Sequence, residues 1–169
     1  MGESDVQRAL EKVARLLDES RIPYALIGGI ALNEYGYSHM TADIDLLLNK
    51  KGFEAFTAIY PELTENGVPI DVVLAGEYPG DGLPKPVAFP DPADAALRGE
   101  RIALLPLPRM IELKVASGMT APHRLKDLAD VIEIVRILKL PSGIAEELDP
   151  YVREKFQELW RAAQAEERE

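Results

Sequence analysis

The chain has 169 residues, no cysteine and only two histidines, His39 and His123, which excludes disulfides, thiol catalysis and a cysteine- or histidine-built zinc site. A formal net charge of −10 and an isoelectric point near 4.8 argue against strong non-specific DNA binding, so any RNA partner would have to dock on a local patch. An apolar share of 47% is enough for one ordinary core; no apolar run approaches the roughly 20 residues of a bilayer crossing, so a soluble, cytoplasmic protein with no membrane partner is expected.

In chain order, Val6, Leu10, Val13, Leu16 and Leu17 recur at helical spacing, which predicts a first helix up to Ser20 that covers a core. Tyr24 to Ile27 is a short apolar run read as a strand, and it ends in Gly28-Gly29. A short helix follows over 30–35, with Gly36 in the C-terminal cap position. After a polar loop, Asp43-Ile44-Asp45-Leu46 opens a run that is strongly β-like and continues to Leu48. The spacing predicts a helix over 51–60 with Phe53, Phe56 and Ile59 inward, stopped by Pro61, and a strand over 68–74. Residues 75–92 are dense in Gly and Pro and read as a long loop.

Residues 93–98 are expected to form one or two helical turns and 101–105 a short strand. A helix is predicted over 109–117 and ended by Gly118. A longer one should run from Thr120 or Ala121 to about Lys139, with Leu125, Leu128, Ala129, Ile132 and Val135 as its apolar stripe and His123, Asp127 and Asp130 opposite. Pro141 interrupts, and helical segments are expected over 144–148 and 151–163. The sum is an α/β (α+β) chain: a small mixed β-sheet with helices packed on it, followed by C-terminal helices. The expected organisation is a core over 1–107 and a helical region over 108–169 packed on it as one compact unit.

The chemistry concentrates in residues 24–48. Side chains two apart on a strand point to one side, so Asp43 and Asp45 present their carboxylates together while Ile44 and Leu46 face a core. Two adjacent carboxylates repel and raise each other's pKa unless a cation sits between them, and the expected cation is Mg²⁺, which takes oxygen ligands and shares its shell with substrate phosphates. Asp71 stands inside the next apolar strand, where a carboxylate is costly unless it is paired, metal-bound or at the strand's exposed end, and it completes a set of three. Gly28 and Gly29 form a turn whose backbone N–H groups suit a phosphate. This layout belongs to metal-assisted nucleotidyl or phosphoryl transfer, with Asp71 as the general base.

The run Ile27-Gly28-Gly29, thirteen residues, then Asp43-Ile44-Asp45-Leu46 resembles the DNA polymerase β-type nucleotidyltransferase superfamily. The longer stretch GGIALNEYGYSHMTADIDLLL resembles its small bacterial branch of abortive-infection, type IV toxin and minimal nucleotidyltransferases. In that branch an Arg-x-Thr-x-Asp-Ile-Asp run is common; here His39 stands at the Arg position, and Gly29 stands where a Ser often follows the first glycine. The resemblance implies a nucleotidyltransferase fold, two Mg²⁺ ions held by Asp43, Asp45 and Asp71, an NTP as substrate, and nucleotide contacts from Gly28, Gly29, Thr41, Lys114 and Asp127.

The function first implied is transfer of NMP from an NTP to a hydroxyl of RNA, such as tRNA, or of a protein side chain, with a toxin and its cognate antitoxin as one setting. The alternatives are modification of a small molecule such as an antibiotic, or a catalytically inactive nucleotide-binding relic marked by His39 and Gly29. A Lys126–Asp130 pair at i, i+4 on an exposed helix face would be structural only, contributing about 0.3–0.5 kcal/mol.

Overall fold

The computed structural model describes residues 3–38 and 40–166. The chain divides into two units: Met1–Gly76 with Phe89–Pro106, and Glu77–Ala88 with Leu107–Glu169. Among the described residues, all six strands lie in the first. Its elements are α1 (Glu3–Glu19), β1 (Tyr24–Ile27), α2 (Gly28–Glu34), β2 (Ile44–Leu48), α3 (Lys50–Ile59), β3 (Thr64–Glu65), β4 (Val68–Leu74), α4 (Pro92–Ala95), β5 (Leu97–Arg98) and β6 (Ala103–Leu104). The sheet order is β3-β4-β2-β1-β6-β5. The β2–β4 and β1–β6 pairs are parallel and the others antiparallel, so the sheet is mixed, as expected.

β2 lies between β1 and β4, and Ile44, Leu46, Leu47 and Leu48 are fully buried. Each such side chain contributes about 1.5–3 kcal/mol relative to exposure, which makes this strand the anchor of the unit. On one face of the sheet Ile44, Leu46, Val68 and Ile70 pack under the α1 side, where Val6, Leu10, Val13 and Leu17 are buried in turn. Lys12 of α1 pairs with Glu65 at 3.0 Å, which fixes that face of the β3–β4 hairpin as the one toward α1.

Local signals in the sequence account for the ends of the helices. α2 stops in a Schellman arrangement, with the Tyr37 N–H donating to Leu32 O at 2.9 Å and the Gly36 N–H to Asn33 O at 3.0 Å, so Gly36 does occupy the cap. The Tyr35 hydroxyl then donates to Leu105 O at 2.7 Å and ties α2 to the strand end beyond β6. Asn49 caps α3 by accepting from the Gly52 N–H at 2.7 Å. Two expectations in this unit fail. Ile59 is 41% exposed, because the helix ends there and Tyr60 turns inward instead, its ring 5.1 Å from that of Phe56. Residues 97–98 are a strand, because Leu97 and Arg98 pair with Leu104 and Ala103 in a hairpin, leaving only Pro92–Ala95 helical.

The second unit holds α5 (Leu107–Thr120), α6 (Leu125–Leu138) and α7 (Pro150–Glu166), with 3-10 turns at Pro122–Arg124 and Ser142–Glu147. Gly118 does not end α5. The helix runs through it to Thr120, and a Cβ there would lie 2.4 Å from Leu128 Cγ of α6, so the glycine serves the close approach of two helices. The stripe expected for α6 is also rotated. Leu125 is 60% exposed, and the buried face is Asp127, Val131, Ile134 and Val135. The polar stripe turns inward at Asp127 because α5 supplies partners that satisfy its carboxylate. Among the described residues no helix is long and apolar enough to cross a membrane.

A Gly118→Val variant is expected to lose about 1–3 kcal/mol of stability in urea denaturation followed by circular dichroism, since the added methyls must displace Leu128. Unchanged stability would refute the close-approach account.

Candidate active site

β2 and β4 run parallel in a register that sets Ile44 beside Ile70, Asp45 beside Asp71 and Leu46 beside Val72. Because side chains alternate, the burial of Ile44, Leu46 and Ile70 forces Asp45 and Asp71 together onto the other face. Asp43 precedes the strand by one residue and falls on the same side as Asp45. Carboxylate oxygens of Asp43, Asp45 and Asp71 all lie within 4.8 Å of one another. The first two side chains are half-buried and Asp71 is exposed.

Gly28 adjoins this cluster from β1. Ile27 is the register partner of Asp45, so the next residue passes directly over the Asp45 carboxylate. A Cβ on Gly28 would fall 2.1 Å from Asp45 Oδ2, and its φ of +69° is itself strained for any side chain. The glycine is therefore required for the carboxylate to occupy its position, a role distinct from the phosphate turn expected of it. Gly29 is the second residue of α2 and half-buried, and Thr41 is half-buried in the irregular chain leading to Asp43. His39 lies outside the described residues.

The Asp43 carboxyl is held above its ordinary value, first by its side-chain hydrogen bond with Asp71, then by burial and by the charge of Asp71. Three hard oxygen donors within 4.8 Å of one another fit a divalent ion of the Mg²⁺ type. Asp43, Asp45 and Asp71 would hold it, and it would supply charge neutralisation for phosphate oxygens and a lowered pKa for a bound hydroxyl.

Lys114 and Asp127 meet in the second unit. The Lys114 ammonium, 20% exposed, lies 3.4 Å from Asp127 Oδ1 and 3.0 Å from Asp130 Oδ2. Asp127 Oδ2 accepts from the Ser117 hydroxyl at 2.6 Å and from Arg124 Nε at 3.0 Å. Asp130 thus pairs across to α5 rather than along its own helix to Lys126. Ser117 is not among the residues singled out from the sequence, although Lys114 and Ser117 at i, i+3 on one helix answer Asp127 and Asp130 at i, i+3 on the next.

No family model and no curated protein matches the chain. Solved structures do. The chain has the nucleotidyltransferase fold, with a small mixed sheet and helices packed on it. Among the similar structures are two of ANT(2")-Ia. A crystal structure in complex with adenylyl-2"-tobramycin matches with a TM-score of 0.55 at 17% identity, covering 96% of this chain and 98% of the other. A solution structure of the same protein, described as an antibiotic-resistance factor with substrate-regulated conformation dynamics, matches with a TM-score of 0.50 at 16% identity, covering 98% and 95%. At this identity the likeness establishes the fold, and the narrower bacterial branch has no counterpart among these structures.

In EDTA, the raised Asp43 pKa sets the sign of a pH effect. Protonation of this carboxyl favours the folded chain; that contribution is present below the ordinary 3.8 and is lost as pH rises through the higher folded value. Melting temperature should therefore fall over the window just above that ordinary value, more in wild type than in Asp43→Asn. At neutral pH, millimolar Mg²⁺ should raise the melting temperature of wild type and leave an Asp43→Asn/Asp45→Asn variant unmoved. An equal shift in both would remove the metal from the site.

Proposed function

We propose that the chain is a Mg²⁺-dependent nucleotidyltransferase that moves NMP from an NTP to a hydroxyl of a small molecule. The observation that carries this reading is the meeting of Asp43, Asp45 and Asp71 within 4.8 Å beside the Gly28 turn. The small-molecule acceptor, an alternative in the sequence, is supported by the likeness to ANT(2")-Ia with its adenylyl-2"-tobramycin ligand. The RNA or protein acceptor and the antitoxin partner have no such support. Tobramycin carries several ammonium groups, and the net charge of −10 favours encounter with a cation. The adenylyl group of that ligand makes ATP the first donor to test.

In this reading the NTP phosphates lie along the backbone N–H groups of the Gly28-Gly29 turn, where the absence of side chains allows close approach. A metal held by Asp43, Asp45 and Asp71 would supply charge neutralisation at the reacting phosphate. The acceptor oxygen attacks the α-phosphorus, the bond to the bridging oxygen of pyrophosphate breaks, pyrophosphate leaves, and Asp71 takes the hydroxyl proton. Asp71 suits that task as the most exposed of the three, reachable by an incoming hydroxyl. Thr41, Lys114 and Asp127 enter as nucleotide contacts by resemblance; Lys114 would bring to a phosphate an ammonium that already holds two carboxylates.

Incubation with α-labelled ATP, Mg²⁺ and either tobramycin or total tRNA tests the proposal. Label should move to tobramycin, and Asp43→Ala or Asp45→Ala should reduce the rate by at least ~100-fold, about 2.7 kcal/mol of transition-state stabilisation. Transfer to tRNA alone would restore the RNA acceptor, and ATP binding without transfer to any acceptor would favour the inactive relic.

A further inference from the structure

The geometry points to the β3–β4 hairpin, through Thr64 and Pro69, as the wall of the acceptor subsite. The inference rests on the transferase reading above and adds to it which flank of the carboxylates receives the acceptor. The β2–β4 register sets Asp43 level with Pro69, one residue before the Ile44–Ile70 pair, and Thr64 is the direct partner of Pro69 across the hairpin. Strands are spaced by ~4.8 Å, so Asp43, Pro69 and Thr64 form a row about 10 Å long on the carboxylate face. Glu65, the neighbour of Thr64, turns the other way to reach Lys12 at 3.0 Å, in keeping with the alternation.

The two flanks of the cluster differ in access. On the β1 side Gly28 presses on Asp45 so closely that a methyl group has no room. On the β4 side Asp71, Pro69 and Thr64 are all exposed. With phosphates along Gly28-Gly29, the acceptor hydroxyl approaches from the β4 flank, where Asp71 stands ready to take its proton. The turn that carries the wall is tight: Asn66 and Gly67 have φ of 49° and 80°, the left-handed pair of a two-residue hairpin. Its surface offers a proline ring and a threonine hydroxyl and methyl, suited to the ring of a sugar-like acceptor. The carboxylate face carries Asp43, Asp45 and Asp71, and residues 52–76 contain no basic residue. An ammonium-bearing acceptor is favoured there and a polyanion is opposed.

The test compares wild type with Thr64→Arg and Thr64→Ser, both on an exposed edge strand. Calorimetry with Mg²⁺ and a methylene-bridged, non-transferable ATP analogue measures tobramycin binding, and steady-state transfer measures KM and kcat. Thr64→Arg should raise the tobramycin dissociation constant and KM by ~10-fold or more, with kcat and the affinity for the ATP analogue within about twofold of wild type, and Thr64→Ser should stay near wild type. Unchanged tobramycin affinity in an active Thr64→Arg variant, or a loss confined to the ATP analogue, overturns this inference alone. Failure of the wild-type chain to transfer to tobramycin overturns the small-molecule reading and this one with it.

Discussion

The parallel register of β2 against β4 is the constraint that makes the candidate site possible. It brings together groups that repel one another. Two carboxylates at about 4–5 Å cost about 1–4 kcal/mol at the effective dielectric of a protein surface. Burial of Ile44, Leu46, Leu47 and Leu48 on β2 alone contributes more than that, at about 1.5–3 kcal/mol for each side chain. The strand pairing therefore wins, and the repulsion is held in the folded state as a raised Asp43 pKa. Gly28 completes the arrangement by giving Asp45 the space that any other residue would fill.

The second unit handles its acids in the opposite way. Asp127 is buried, yet Lys114, Arg124 and Ser117 supply two cations and a hydroxyl donor, and Asp130 shares the Lys114 ammonium. Glu112 is buried as well, between Arg109 and the Asp149 N–H, with burial the main cause of its raised pKa. Both acids find their partners inside the unit and join its segments. These carboxylates hold the unit together, each setting its charge among cations and hydrogen-bond donors.

Much of this was legible in local patterns. The Asp43-Ile44-Asp45-Leu46 alternation on an isoleucine and leucine background, the Gly28-Gly29 break, Asp71 inside Val68–Leu74 and the cap at Gly36 are all short-range signals, and the structure reproduces their elements. The errors fall where a residue's role is set by a distant neighbour. Gly118 has the usual character of a helix stop, but α5 continues because Leu128 needs the space above it. The apolar count along 125–135 favoured one face of α6, whereas the partners on α5 allowed Asp127 to turn inward and Leu125 to remain exposed. Leu97 and Arg98 have no strong strand signal of their own and become a strand by pairing with β6.

Residue types and their spacing are enough to name the chemistry on offer: three aspartates, a glycine pair, and an acidic chain without thiols or a zinc-binding set. Such properties belong to the side chains and to the two-residue repeat of a strand, so they can be read before any folding. Which acids meet is settled by the packed molecule instead. Asp71 joins Asp43 and Asp45 through the register of two strands far apart along the chain, and Asp127 joins Lys114 through the packing of two helices. Register and helix rotation minimise the exposed apolar surface of the whole unit, and no local run of residues contains that information.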